Sequence, residues 1–177
     1  AILTDMHEPL GFKIGNWLEV EECIEVMKGK QVPDLIKVNN VLAGAMIFLG
    51  GKADSIDEGE KIADELLASG KVYDKFLDMV KEHEGSVDYV EDYKNLKRAK
   101  FSRIITADKS GFINKLDAYG FGLANVELGG GRKTADDKID FLSGIILEKK
   151  CGDEVVKGDA ICEVFAEDED KFIKSLE

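Results

Sequence analysis

The residues best suited to chemistry in this sequence lie near its start. Thr4-Asp5-Met6-His7-Glu8-Pro9-Leu10-Gly11 runs through Gly15-Asn16 into Leu18-Glu19-Val20-Glu21-Glu22. Two glycines and a proline shape a long ordered loop that feeds directly into a helix, so backbone carbonyls can turn inward. A helix-borne carboxylate such as Glu22 beside them would complete an oxygen cage for a hard cation. Residue pattern alone favours a blander state, with Glu22 solvated. The same holds for the Glu21-Glu22 pair and the run Glu167-Asp168-Glu169-Asp170, read as solvated faces rather than acid/base pairs. His7 and His83 are the only histidines. Neither has Asp and Ser or Cys partners at a spacing that would make a nucleophile–base pair. His7 falls in a turn before Pro9 and is expected in solvent; His83 is expected near a helix C-terminus, where a cation is favoured. Gly129-Gly130-Gly131-Arg132 could expose N–H groups to a phosphate. It has neither the GxxxxGK[ST] nor the GxGxxG spacing and it follows a helix, so it reads as a helix stop and turn.

The elements that must hold these residues follow from periodicity. Asn16 is expected to cap a helix with Glu19 three residues on. Trp17, Val20, Ile24 and Met27 form its apolar stripe, and Gly29 stops it. Pro33 and Asp34 open a second helix with Leu35, Val38, Leu42, Met46 and Leu49 as its stripe, ended by Gly50-Gly51. Ser55 and Glu58 make a capping box before Ile62, Leu66 and Leu67, with Gly70 as the stop. Val72, Phe76 and Val80 mark a fourth helix ending near Gly85. Beyond about Ala99 the texture changes. Strands are expected at Phe101 to Thr106, Gly111 to Ile113, Ile139 to Leu147 and Ala160 to Phe165, with helices at Leu116 to Leu128 and from about Glu167. Gly152 to Asp159 reads as two tight turns flanking one short strand. The fold class expected is α/β to α+β. A helical segment over residues 1–95 belongs to a larger α/β domain, and a small α+β module occupies residues 96–177. The turn–strand–turn of Gly152 to Val164 resembles barrel-sandwich modules, including biotinyl and lipoyl carriers. No carrier lysine tip is present, and Lys149-Lys150 lacks that context, so a structural module is expected and not a swinging arm.

Composition bounds the function. Of 177 residues, 44% are hydrophobic and 34% charged, which is the globular regime, and the net charge is -12. Such a chain repels phosphate backbones and anionic lipid, so no nucleic-acid or membrane partner is expected. Cys23, Cys151 and Cys162 form no CxxC, as in a reduced, cytoplasmic protein. No apolar run is long enough to span a bilayer. Ala1 in place of an initiator Met, and Ile2-Leu3 beginning in mid-pattern, suggest a piece of a longer chain.

The opening segment also carries a family likeness. T-D-M-x-x-P-L-G-x-x-x-G-N-x-L-E-V-x-E, from Thr4 to Glu22, resembles the signature of thymidine and pyrimidine-nucleoside phosphorylases. The likeness continues through A-G-A-M-I-F-L-G-G-K-A (Ala43 to Ala53), Ala68-Ser69-Gly70-Lys71, Ser110-Gly111-Phe112-Ile113, Leu128 to Arg132, Asp137 to Ile139, and Gly152-Asp153-x-Val155 with Gly158. The departure at His7-Glu8, where the family commonly has Asn-Gln, falls at a variable position.

The resemblance implies reversible phosphorolysis, in which a pyrimidine nucleoside and inorganic phosphate give free base and a pentose 1-phosphate. It also implies a homodimer in which a small helical domain and a larger α/β domain flank a cleft. In the family pattern the phosphate loop and the Arg, Ser and Lys that hold the base lie N-terminal to Ala1. No residue here inherits a catalytic role, and the chain alone is expected to be inactive. One family site does map onto it. A potassium ion is held by backbone carbonyls matching Leu10 and Lys13 and by the carboxylate matching Glu22, its other ligands coming from the phosphate loop that it braces. Lys13 is expected to send its ammonium to solvent. Two other readings stand beside this one: a thymidine-specific phosphorylase, and a non-catalytic binding or regulatory module that keeps the fold without the chemistry.

Overall fold

Proline's fixed φ and missing N–H decide where the longest helix begins. The computed structural model, which describes residues 1–175, places Pro33 at the first helical position of α2 (Pro33–Leu49). Before it come a short strand β1 (Lys13–Ile14) and helix α1 (Asn16–Met27). After it come α3 (Ile56–Ala68), α4 (Lys71–Glu82), α5 (Val87–Glu91) and a 3₁₀ turn, Tyr93–Asn95. The Ser55 hydroxyl accepts from the Glu58 N–H at 3.1 Å, as the sequence expects, while the Glu58 carboxylate reaches one residue further back, to the Asp54 N–H. His83 caps the C-terminal end of α4.

Strands take over from residue 101: β2 (Phe101–Thr106), β3 (Gly111–Phe112), β4 (Gly144–Leu147), β5 (Glu154–Val155) and β6 (Ala160–Ala166), with α6 (Ala118–Leu128) and α7 (Glu169–Lys174) between and after them. They form an antiparallel four-stranded sheet ordered β1-β4-β6-β2 and a two-stranded sheet β3-β5. Leu116, Leu128, Ile145, Leu147, Cys162 and Val164 make the core against the larger sheet.

The chain divides by contacts into two units. One holds residues 1–4 and 23–96; the other joins residues 5–22 to 97–177. The division is discontinuous, where the sequence suggests a single cut after residue 95, and α1 runs across it between Glu22 and Cys23. Buried Ile24, Val26, Val32, Ala63, Val90 and Tyr93 belong to the first unit.

Several expectations need correction. The strand expected from Ile139 shrinks to 144–147, because Asp140 organises residues 140–143 as a polar turn. Its carboxylate accepts from the Leu142 and Glu167 N–H groups and the Ser143 hydroxyl. Asn16 does not cap α1: its side chain donates to the Gly130 carbonyl at 2.7 Å, and the Glu19 carboxylate takes the Gly15 N–H instead. No capping box forms, since Gly15 has no side chain with which to return the bond. The α1 stripe is also rotated, with Val20 exposed and Leu18, Ile24 and Val26 buried. Along α2 the stripe residues Leu42, Met46 and Leu49 are exposed. The short β1 and α5 give too few residues for a periodic signal.

In the first unit α2 and α3 meet at two glycines. A Cβ on Gly59 would overlap the Gly44 carbonyl oxygen and lie 2.9 Å from the Gly44 Cα; one on Gly44 would lie 2.6 Å from the Glu60 nitrogen. Backbone cannot yield as a flexible side chain does. Gly59→Ala is therefore expected to destabilise the first unit by about 1–3 kcal/mol. Gly122→Ala, in α6 where a Cβ meets nothing within 4 Å, should stabilise by ~0.5–1 kcal/mol through helix propensity. Urea unfolding of both variants checks the opposed signs.

Candidate functional site

Glu22 is 3% exposed, as is Glu21 beside it, and neither is the solvated carboxylate that the residue pattern favours. A helix turns about 100° per residue, so neighbours cannot face one partner, and these two grip the same short segment by different handles. Glu22 Oε1 and Oε2 accept from the Phe12 N–H at 3.0 and 3.1 Å, and Oε2 accepts from the Lys13 N–H at 3.3 Å. The carboxylate thus sits on successive backbone donors. Room for it comes from Gly11, buried with φ +68°: a Cβ there would run into the Glu22 carboxylate, with Cδ at 3.1 Å. Both the left-handed backbone and the missing Cβ explain glycine at this position.

Ladder geometry then fixes where the Lys13 carbonyl points. The Leu147 N–H donates to the Phe12 carbonyl at 2.7 Å, and Lys13 pairs with Ile146 across β1 and β4. Backbone groups of successive strand residues alternate sides, while the N–H and C=O of one residue share a side. The Lys13 N–H and C=O therefore face away from β4, at the outer edge of the sheet, and on that side Glu22 takes the N–H. Leu10, half-exposed, begins the turn that leads there.

Glu21 closes the other handle. The Lys13 ammonium does not reach solvent, contrary to expectation; it bonds Glu21 Oε1 at 2.8 Å, with both side chains about 95% buried (6% and 4% exposed). Arg98 completes the cluster with two bonds to the same carboxylate, 2.6 Å to Oε2 and 2.9 Å to Oε1. Burial alone would raise the Glu21 carboxyl. The hydrogen bonds and charges of Arg98 and Lys13 more than reverse that, holding it below its ordinary value. Sequence reasoning missed both partners: Arg98 lies 77 residues away, and nothing about Lys13 marks it as inward.

Among the described residues no group of three or more His, Cys, Asp or Glu could hold a metal ion. His7 is exposed and bonded to Asp5, which raises its pKa through a side-chain hydrogen bond. Burial raises the Cys162 thiol. Burial and then the Glu8 carboxylate raise Cys151, so neither is poised as a thiolate. The Gly129–Gly131 turn stops α6 and receives the Asn16 amide.

A folded-state pKa below the unfolded value contributes stability above the unfolded value and loses it as pH falls through the folded one. The wild-type chain should thus lose stability as pH drops below the usual carboxylate range. Glu21→Gln, which strands a buried Lys13, should cost about 3–5 kcal/mol at neutral pH and flatten that acid limb. Thermal melts from pH 7 downward measure both.

Residues 112–177 match the family model of the pyrimidine nucleoside phosphorylase C-terminal domain. A pyrimidine-nucleoside phosphorylase of Bacillus subtilis (strain 168) is 38% identical over 94% of this chain, and one of Staphylococcus aureus (strain USA300) is 34% identical over all of it. The chain spans only 38% and 41% of those two proteins. No helix among the described residues is long and apolar enough to cross a membrane. The chain is homologous to a part of these pyrimidine-nucleoside phosphorylases, and residues 112–177 match their C-terminal domain.

Proposed function

We propose that this chain is the non-catalytic part of a pyrimidine-nucleoside phosphorylase, and that Leu10, Lys13 and Glu22 are its half of a potassium site. The whole enzyme would transfer a pentosyl group from pyrimidine nucleoside to phosphate. The glycosidic C–N bond breaks, a C–O bond to phosphate forms, and the leaving base takes a proton. None of those steps uses a residue of this chain. The observation that carries the reading is Glu22, buried against residues 11–13 and on the side of β1 to which the Lys13 carbonyl points.

The donor chemistry fits a monovalent cation. One carboxylate and backbone carbonyls suit a hard ion of low charge, and Gly11 leaves room for that carboxylate to lie against the loop. Bound there, potassium would supply fixed positive charge that braces a phosphate-binding loop, without entering the reaction. This chain's residues have a narrower task. Glu22 supplies the charge, Leu10 and Lys13 supply oxygens, and the Glu21 ion pairs hold the strand they come from.

The same reading assigns residues 1–95 to the large α/β domain and 96–177 to a barrel-sandwich-like C-terminal module, to whose four-stranded sheet residues 13–14 add the edge strand. Lys149 and Lys150 donate to the Glu154 and Pro9 carbonyls, which suits a structural module and not a carrier arm. A homodimer in the cytoplasm, with broad pyrimidine rather than thymidine-only selectivity, completes the proposal.

Mixing the chain with the remaining N-terminal part of the Bacillus subtilis relative tests it, by phosphate-dependent release of uracil from uridine. Activity in KCl that falls at least tenfold in choline chloride, and falls similarly for Glu22→Gln, is expected. A stable complex without phosphorolysis would instead favour a non-catalytic binding module.

A further inference from the structure

The turn after β4 holds the loop from the other side. The Lys150 ammonium donates to the Pro9 carbonyl at 2.5 Å and lies 5.3 Å from the centroid of the Phe12 ring. The next residue donates as well, from the Cys151 N–H to Glu8 Oε2 at 3.1 Å. Pro9 is buried, although residues 1–7 before it are exposed. Residues 8–9 are thus tied to the C-terminal module, residues 12–13 are tied to Glu22, and only Leu10 and Gly11 lie between. Two residues reach at most ~3.5 Å each, so fixing both ends of so short a bridge leaves its carbonyls few directions.

We infer that Lys150 is a positioning residue for the cation site, one that sets the direction of the Leu10 carbonyl by holding Pro9. The inference rests on the potassium reading of Leu10, Lys13 and Glu22. Charge alone argues the opposite way: an ammonium near a cation weakens its binding, so deleting Lys150 would tighten the site if electrostatics dominated. Positioning and electrostatics therefore give opposite signs. The aliphatic stem and the Phe12 contact would survive in methionine, while the donor to Pro9 would not.

The test is a KCl titration of the ¹⁵N-labelled 177-residue chain against choline chloride at equal ionic strength, following the amides of Gly11, Phe12 and Lys13. In the wild type these amides should shift with KCl and not with choline, and in Glu22→Gln they should not respond. Lys150→Met should raise the KCl midpoint roughly fivefold, about the worth of one hydrogen bond, while Lys150→Arg, which can still donate to Pro9, should restore it. If the wild type responds but Lys150→Met leaves the midpoint unchanged or lowers it, the positioning role is overturned and the potassium site stands. If the wild-type amides respond to KCl and choline alike, the potassium reading fails and this role fails with it. Should the methionine variant lose its dispersed spectrum, Lys150→Leu, which also removes the donor, is measured in its place under the same criteria.

Discussion

An ionised carboxylate taken from water costs several kcal/mol unless charge and hydrogen bonds replace the solvent. Glu21 meets that demand with one ammonium and a two-bonded guanidinium, and much of the second unit is arranged around the result. Lys13 is buried only because Glu21 is there, and Arg98 fixes the far side of the same carboxylate. Remove the glutamate and a buried lysine is stranded; remove the lysine and β1 loses its side-chain hold. An edge strand of two residues has too few ladder bonds to stay docked alone. Its pairing with β4 is stabilised through α1 rather than through the sheet.

Other parts of the second unit use the same device, a side chain gripping backbone where regular structure runs short. Asn16 holds Gly130, Asp140 gathers Leu142, Ser143 and Glu167, and Asp137 collects the Lys133 and Thr134 N–H groups. Each serves backbone groups that no strand or helix satisfies, the condition for a loop to lie against a core. The expected strand from residue 139 fails for this reason. Ile139, Phe141 and Leu142 look like strand residues, but Asp140 offers their backbone a better-paired turn, and pairing begins only at Gly144.

Local signals made the helices legible. Pro33, the Ser55–Glu58 box and the stops at Gly29, Gly50 and Gly70 each act within a turn or two of the chain, so their physics is contained in adjacent letters. The β2 and β6 strands were equally plain, being rich in β-branched and apolar residues over six or seven positions. What stayed hidden depends on partners far along the chain. The capping register of α1 is set by Gly130, which takes the Asn16 amide and leaves Glu19 to serve Gly15. Burial of Glu21 is set by Arg98, and a glutamate pair with no visible partner reads as solvated. Exposure along α2 shows the converse limit, since a stripe of Leu42, Met46 and Leu49 announces a buried face without saying what in these residues would cover it. The candidate site was legible as a family pattern at Leu10, Lys13 and Glu22, but its physical support at Lys13, Glu21, Arg98 and Lys150 was not.

The net charge of -12 favours cations everywhere on this molecule, so attraction alone cannot make one place a site. Selectivity needs oxygens held in fixed directions before the ion arrives, because ordering them afterwards would consume the binding energy. In the proposed potassium site, the loop from Glu8 to Lys13 would meet that need with opposite chemistry at its two ends. Donors from the module take the oxygens of Glu8 and Pro9, while the Glu22 carboxylate takes the N–H groups of Phe12 and Lys13. At the Pro9 end the oxygens are consumed; at the Lys13 end the nitrogens are, which leaves that residue's carbonyl turned to the edge beside a carboxylate. A segment without a reactive group can serve a reaction in this way, by offering rigid oxygens where a charged loop must be held.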